Sequence, residues 1–549
     1  MERFWHKSWP KDLPHDIQVP NLTIHEALMA TAKRFPNHPA YYIMGKTISF
    51  REIDEMSNRF AHGLLNLGIK KGDRVAVMVP NLPQFPIAFF GTFKAGGTIT
   101  PVNPLLKELE LHHQLESTGT KIMVALDIFH DVVEKGRKDT EVETVVYTKT
   151  GEYLPRAKAV LGKLVGKIPH PELPKGAEIR FFNQVMSNQP AKPPENRLNA
   201  DDVATLLFTG GTTGLPKGAM LTHRNLMFNA EAGRKWFNVN EGNECFVGVL
   251  PFFHAFGLSC VLVLASCIAA SIIMIPRPDL KEVLHVLPKY KATVLVGVPT
   301  LYVSMLGHPS FKKENLESLK HAFSGAAPLP VEILEKFQGL TGQYIVEGYG
   351  MTETSPIQTL IPEGVLRPGS VGIPIFNTDL KIVDSTDDTK VMPTGEWGEI
   401  LVRGPQVMTG YWGKKKETEE TLKGGWMHTG DIGRFDEDGY VYIGDRKKDL
   451  IKYKAYSVFP AEVEDILYRH PAIAECAVVG IPDPTAGETI KAFIKLKPEC
   501  VGKVTEDEVR DWAKEHMAAY KYPRIISFVP SLPKSAIGKI LRRELREVK

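Results

Sequence analysis

An apolar run that stops on a loop of glycine, threonine and lysine constrains this chain more than any other stretch. Residues 203–208, Val-Ala-Thr-Leu-Leu-Phe, read as a buried strand. Residues 209–218 follow as Thr-Gly-Gly-Thr-Thr-Gly-Leu-Pro-Lys-Gly. Glycines at 210, 211, 214 and 218 let backbone N–H groups turn toward an anion with no Cβ in the way. Hydroxyls of Thr209, Thr212 and Thr213 add donors, and Lys217 adds a mobile positive charge. The pattern reads as a phosphate grip, with Thr222 placed to cap a following helix. A Walker A loop is excluded, because it needs Gly-Lys-Ser/Thr after four spacers. Here Pro216 precedes the lysine and Gly218 follows it.

Other stretches carry related chemistry. Residues 347–353, Glu-Gly-Tyr-Gly-Met-Thr-Glu, put an aromatic face, a hydroxyl and a carboxylate close together. A base needs the first, phosphates the second, and Mg²⁺ an oxygen ligand. Residues 426–431, Trp-Met-His-Thr-Gly-Asp, place Asp431 after a tight turn, where a carboxylate can accept two ribose hydroxyls. Aromatic residues surround His254 in Pro-Phe-Phe-His-Ala-Phe-Gly, a plausible wall for an apolar substrate and equally a core histidine. Small residues at 324–327, Ser-Gly-Ala-Ala, let something flat pass close to the backbone, and tight helix packing would ask for the same run. Near the end, Lys539 follows Gly538, and a lysine on a glycine-relieved loop can swing into a site elsewhere. Taken alone, it is one more exposed C-terminal lysine.

A chain of 549 residues is too long for a single core, so two or more domains are expected. Its apolar and charged fractions are those of a soluble globular protein. A net charge of only +3 gives no electrostatic case for nucleic acid. Five cysteines without a CxxC fit a reducing compartment and argue against structural zinc or a disulfide framework. No apolar h-region of a secretion signal is visible at the N-terminus. Residues 258–275 are apolar enough to be tested as a membrane span. Their serines and alanines, and the lack of a flanking Lys/Arg cluster, favour a buried helix running into a buried strand.

Along the chain, helices are expected at 22–35, 52–67 and through 88–90, and strands at 72–79 and before 101. Such alternation implies a parallel sheet. Residues 149–176 interrupt it with a basic amphipathic stretch. That stretch could lie on an anionic membrane, although a surface excursion packed on its own domain is the preferred reading. Residues 187–200 read as a linker. Residues 296–301, Val-Gly-Val-Pro-Thr-Leu, end another strand, and residues 395–404 read as a turn and strand of a small β-subdomain. After 445 come a helix at 460–468, strands at 473–479 and 490–496, and a helix at 506–517.

Together, the loop at 209–218, the 347–353 run, Asp431, the run Gly444-Asp445-Arg446, the basic stretch at 445–464 and the Lys539 loop resemble, in order, the motifs of the adenylate-forming superfamily. That superfamily comprises acyl-CoA synthetases, luciferases and nonribosomal peptide adenylation domains. The overall pattern looks most like the medium- and long-chain fatty acid–CoA ligases. The resemblance implies an α/β fold: a large N-terminal domain of stacked αβ layers with a small β-subdomain, then a smaller mobile α+β domain. The expected domains are 1–445 and 446–549, with the hinge near Lys448.

By the same resemblance, ATP or AMP is held by Thr209, Gly210, Gly211, Thr212, Thr213, Gly214 and Lys217. Gly325, Ala326, Ala327, Gly348, Tyr349, Gly350, Met351, Thr352, Asp431 and Arg446 complete that set. Glu353 holds Mg²⁺, and Lys539, Thr352 and His254 are catalytic. His254, Val298 and Ala326 line the acyl pocket, while Lys452, Lys454 and Ala455 lie near CoA. The implied reaction activates a fatty acid with ATP to acyl-AMP and pyrophosphate, then passes the acyl group to CoA.

An aryl-acid ligase of the coumarate type and an adenylating enzyme with a non-CoA acceptor stay open. So does an ATP- or acyl-binding regulatory protein that has lost catalysis, against which the intact Lys539, Glu353, Asp431 and Arg446 count. Amino-acid-activating relatives carry an aspartate near His254, and this chain has no carboxylate between Pro251 and Ser271, which disfavours a substrate with an α-ammonium group. Two positions depart from the family pattern: Gly210 stands where a serine is usual, and Ala455 where glycine is. Cytoplasmic location is expected, with weak peripheral membrane contact through 149–176 and a homodimer both open.

Overall fold

The computed structural model describes residues 3–155, 173, 179–209, 216–327, 329–446, 449–454, 456–483, 486–535 and 538–546. The basic stretch at 149–176 therefore falls largely outside the described residues, as do Gly210, Gly211, Thr212, Thr213, Gly214, Lys448 and Ala455.

Among the described residues four sheets form. The nine-stranded sheet has a parallel centre in the spatial order Ile345–Gly350, His321–Ser324, Val294–Gly297, Cys245–Gly248, Ser271–Met274 and Pro39–Ile43. Antiparallel strands close its edges at Ile357–Leu360, Ile373–Pro374 and Lys46–Ser49. A seven-stranded sheet runs Ile179–Phe181, Thr144–Thr148, Thr120–Leu126, Arg74–Met78, Thr98–Pro101, Val203–Phe208 and Gly218–Thr222. The expected parallel α/β architecture is borne out. So is the small β-subdomain, a four-stranded antiparallel sheet of Asp379–Val383, Gly398–Arg403, Met427–Phe435 and Val441–Arg446. Residues from Ile451 onward form a five-stranded sheet with its own buried core.

Helices form where side-chain caps start them. Thr23, Ser49 and Thr222 each accept the backbone N–H of the third helical residue, whose side chain answers the cap's own N–H. The helices then run Ile24–Arg34, Phe50–Asn66 and His223–Trp236, within two residues of the ends expected at 22–35 and 52–67. Residues 258–275 are buried as expected, as consecutive helical turns ending at Cys267 and the strand Ser271–Met274. Among the described residues no helix is long and apolar enough to cross a membrane.

Three local expectations change. Val203–Phe208 and Gly218–Thr222, on either side of 209–217, pair antiparallel, so a second strand stands between those residues and the helix that Thr222 caps. Asp431 sits inside the strand Met427–Phe435 rather than after a turn. Gly430, at φ +69°, and a register shift against residues 399–401 make a bulge that redirects that strand. Residues 187–200 are not a loose tether. Asn58, Arg59 and His62 bond to the carbonyls of Ala191, Gln189 and Lys192, and Asn196 donates to those of Phe93 and Lys94. Paired backbone holds this polar stretch as a strap across two helices.

One of those helices, Gln84–Lys94, is buried along its whole length. It carries a lysine into the core because Lys94 Nζ meets Asp54 Oδ1 at 2.6 Å, Asn58 Oδ1 at 2.6 Å and Ser57 Oγ at 2.9 Å. Burial lowers the lysine's pKa, and Asp54 opposes that shift. A buried charge left without its partner costs about 3 kcal/mol or more, whereas an apolar replacement of the charge itself is often tolerated. Asp54→Ala is therefore expected to lower the guanidinium unfolding midpoint well beyond Lys94→Met, and equal losses in the two variants would contradict this account.

Candidate active site

The carboxyl ends of the central parallel strands converge on one cleft, the usual place for a ligand in an open α/β sheet. Tyr349 lies in the last residues of Ile345–Gly350, and its hydroxyl donates to Asp431 Oδ2 at 2.5 Å. Asp431 in turn faces Arg446 across the strand pair of the β-subdomain. An aromatic face and a carboxylate able to accept ribose hydroxyls thus meet from separate sheets, beside the strand position of an arginine.

Gly348 and Gly350 owe their identity to packing here. A Cβ on Gly348 would stand 2.6 Å from Leu360, and one on Gly350 would stand 1.7 Å from the Pro356 carbonyl. Gly325 ends a neighbouring strand against the Phe256 ring, 3.1 Å from where its Cβ would be, and Ala326 adopts φ +70°. Met351 and Thr352 open the short turn that carries Glu353. Ala327 follows in the same small-residue run, and Thr352 is partly exposed.

The phosphate hairpin joins this cleft through a residue that motif reading missed. Tyr411 donates its hydroxyl to Glu353 Oε1 at 2.8 Å, and Lys217 Nζ lies 5.0 Å from the centre of its ring. Backbone bonds from Trp412 to Gly218, from Met220 to Gly410 and from Met408 to Glu353 lock the three segments together. Thr209 closes the hairpin, its N–H on the Lys217 carbonyl at 3.0 Å. Glu353 is buried, and as a hard oxygen donor it suits Mg²⁺. Among the described residues no three His, Cys, Asp or Glu side chains form a metal cage. An aromatic residue between Gly410 and Trp412 carries no sequence signal for this linking role.

On the other side of the cleft, His254 caps a short helical turn, its Nδ1 accepting the Phe256 N–H at 3.3 Å. Burial first, and then the charge of Lys539, push its pKa down to about 4. The ring is therefore neutral at physiological pH, with its proton on Nε2 as a donor. Lys539 reaches this neighbourhood from the far end of the chain. The Ser535 N–H donates to the Lys539 carbonyl at 2.7 Å, the Lys539 N–H donates to Ser535 Oγ at 3.2 Å, and Gly538 turns at φ +80°. A Cβ on Gly538 would come 2.9 Å from Thr300 Oγ1 and 3.5 Å from Val298. Val298 itself caps the helix Pro299–Leu306 rather than continuing into a longer strand.

Gly538 thus lies beside Val298 and Thr300, and the charge of Lys539 is felt at His254. Lys452 and Lys454 are exposed on and just after the strand Ile451–Tyr453. Burial pushes Glu347 up to about 8, opposed by the Leu329 N–H it accepts and helped by the charge of Asp465 on the helix Pro460–Leu467.

An apolar cavity opens behind Phe256 and Phe323, whose rings pack 5.6 Å apart beside Gly325. One wall is the helix stripe Asn229, Gly233 and Phe237, spaced by four residues. Phe246, Val294, Val296, His321 and Phe323 on parallel strands form the other. Gly233 in mid-helix is the one sequence signal for this wall, since glycine there is unfavourable without a packing reason.

Side chains suited to a base, a ribose and phosphates, set beside an apolar cavity, are the parts of a nucleotide-dependent enzyme with an apolar substrate pocket. The family model for AMP-binding enzymes matches residues 28–412, and that for the AMP-binding enzyme C-terminal domain matches residues 462–539. This chain belongs to the AMP-binding enzyme family. A long-chain-fatty-acid–CoA ligase of Bacillus subtilis strain 168 is 40% identical to it over 99% of this chain and 97% of its own length. That of Salmonella typhimurium is 38% identical over 100% and 98%. The crystal structure of an anthranilate CoA ligase in complex with anthranoyl-AMP superposes with a TM-score of 0.85 at 30% identity, covering 97% of this chain and 98% of that one.

If Asp431 is held for ribose by the Tyr349 hydroxyl, Tyr349→Phe is expected to weaken AMP binding roughly tenfold, the worth of one hydrogen bond to a charged group. Tyr349→Ala, which also loses the stacking face, weakens it further. Calorimetric titration with AMP checks both, and a phenylalanine variant that binds like the wild type refutes the role.

Proposed function

We propose that this protein is an AMP-forming long-chain fatty acid–CoA ligase. The cavity behind Phe256 and Phe323 carries that reading. It runs along the strands from Phe323 near the cleft to His321 at their amino ends, and along the helix from Asn229 to Phe237, about 12 Å by helix rise. Its elongated apolar lining follows the line of an extended acyl chain better than the compact ring of the coumarate-type alternative. The identity to long-chain ligases over the whole chain supports the same choice.

In the proposed first step, a substrate carboxylate oxygen bonds to the α-phosphorus of ATP, and the bond from that phosphorus to pyrophosphate breaks. Catalysis of such a transfer is mainly positioning and charge stabilisation. Tyr349 stacks the base, Asp431 and Arg446 take the ribose, and the 209–217 hairpin with Lys217 grips the leaving pyrophosphate. Glu353 would hold Mg²⁺, which neutralises phosphate charge. Lys539 sets its charge between the carboxylate and the α-phosphate, while neutral His254 lines the acyl entrance without competing for that charge. In the second step the CoA sulfur bonds to the acyl carbon, AMP leaves, and the thiol proton is released.

We place the domain boundary at 445/446 with Lys448 as the pivot. The 446–549 domain then withdraws Lys539 and turns the face bearing Lys452, Lys454 and Ala455 toward the cleft, so that two reactions share one site. We assign the enzyme to the cytoplasm, with 149–176 as a surface excursion packed on its own domain. Deleting that stretch should then leave pelleting with anionic liposomes unchanged, and a drop in pelleting would make it a membrane contact instead.

Lys539→Ala is expected to cut acyl-AMP formation, read as pyrophosphate release, by two or more orders of magnitude, while thioester formation from supplied acyl-AMP is largely kept. Equal loss in both half-reactions would reject this division of labour. A panel of C2 to C18 and aryl acids with ATP and CoA tests the substrate class, and a preference for aryl acids would overturn it.

A further inference from the structure

Resting on the fatty-acid reading above, we propose that Phe237, held by His321 and its partner Glu363, is the stop that sets the longest acyl chain this enzyme accommodates. Phe237 follows the last turn of the helix His223–Trp236, at the outer end of the cavity. Its ring packs edge-on against Phe323 at 5.7 Å and tilted over His321 at 5.7 Å. His321 Nδ1 and Glu363 Oε1 are 2.8 Å apart, and the Glu363 side chain is 46% exposed. Three layers therefore follow one another outward: an apolar wall, an aromatic ring, and a hydrogen-bonded polar pair open to water.

This order has a direct consequence for chain length. Inside the apolar wall each added methylene leaves water and strengthens transition-state binding by up to about fourfold. Past Phe237 an added methylene would displace a ring from two aromatic contacts and meet the His321–Glu363 pair, whose polar atoms gain nothing from it. The gain per carbon should end there. Gly233, one helical turn before Phe237, is the complementary control. A Cβ on it would meet only Leu264 at 3.5 Å, so a larger side chain fits the helix and intrudes on the cavity instead.

The test is kcat/KM against acyl chain length, from C6 to C22, for the wild type, Phe237→Ala, Phe237→Trp and Gly233→Leu. Because Phe237 is half-buried at a helix end, its replacement leaves the core intact. The expected result is a rise with chain length in the wild type to a break. That break moves to longer acids in Phe237→Ala, to shorter acids in Phe237→Trp, and shorter still in Gly233→Leu. His321→Ala should move it in the same direction as Phe237→Ala. A wild type active on long acids whose break stays put in both Phe237 variants overturns the stop. A wild type that shows no rise with chain length overturns instead the fatty-acid reading on which it rests.

Discussion

The 2.5 Å hydrogen bond from Tyr349 to Asp431 joins two sheets that share no strand. One partner stands at the carboxyl end of the central parallel sheet, the other on a bulge of the four-stranded antiparallel sheet. An aromatic face and a carboxylate stay side by side here only if these sheets keep a fixed separation. Every other feature of the cleft can be read as holding that separation or as using it.

Several contacts hold it. The first residues of the chain clasp the two sheets together: Arg3 pairs with Asp379 at 2.8 Å, Trp5 stacks on Phe435, and Trp9 packs edge-on against Trp236 and Phe376. Gly439 lies so close beneath Trp5 that a Cβ would stand 2.4 Å from its Cα. Tyr411 makes the second tie, from Glu353 to the hairpin of Lys217. Buried aromatic contacts and a carboxylate bonded by a tyrosine are stiff and specific, as a preorganised site requires. The use of the separation comes from the C-terminal loop, where Gly538 packs against Val298 and Thr300 and Lys539 adds its charge to the burial that keeps His254 neutral.

Much of this was legible in the chain. The helices expected at 22–35 and 52–67 form within two residues of those ends, and Thr222 caps a helix as its residue type suggests, because amphipathic periodicity and capping are local patterns. The apolar run ending at Phe208 was legible as a strand for the same reason of locality. The strand Gly218–Thr222 was not, because it follows glycine and proline and is held by partners at 203–208 and 410–412. Asp431 looked like a turn residue because Gly430 precedes it, whereas the neighbouring strand converts that glycine into a bulge. Residues 187–200 looked like a linker because they are polar and proline-rich, yet side chains of a helix far away in sequence satisfy their carbonyls.

By itself the sequence determined which side chains can bind a base, a ribose, phosphates and a carboxylate, because those capacities reside in residue types at short spacing. It also determined that strands and helices alternate, since hydrophobic periodicity is local. Only the tertiary structure decided that Tyr349 meets Asp431, that Tyr411 bridges Glu353 and Lys217, and that a lysine from the end of the chain lies beside His254. Tertiary packing also hollowed the acyl cavity, by laying Asn229, Gly233 and Phe237 of one helix over alternate residues of three parallel strands. Each of these is a contact between segments tens to hundreds of residues apart, set by how whole sheets pack, and no local pattern encodes it.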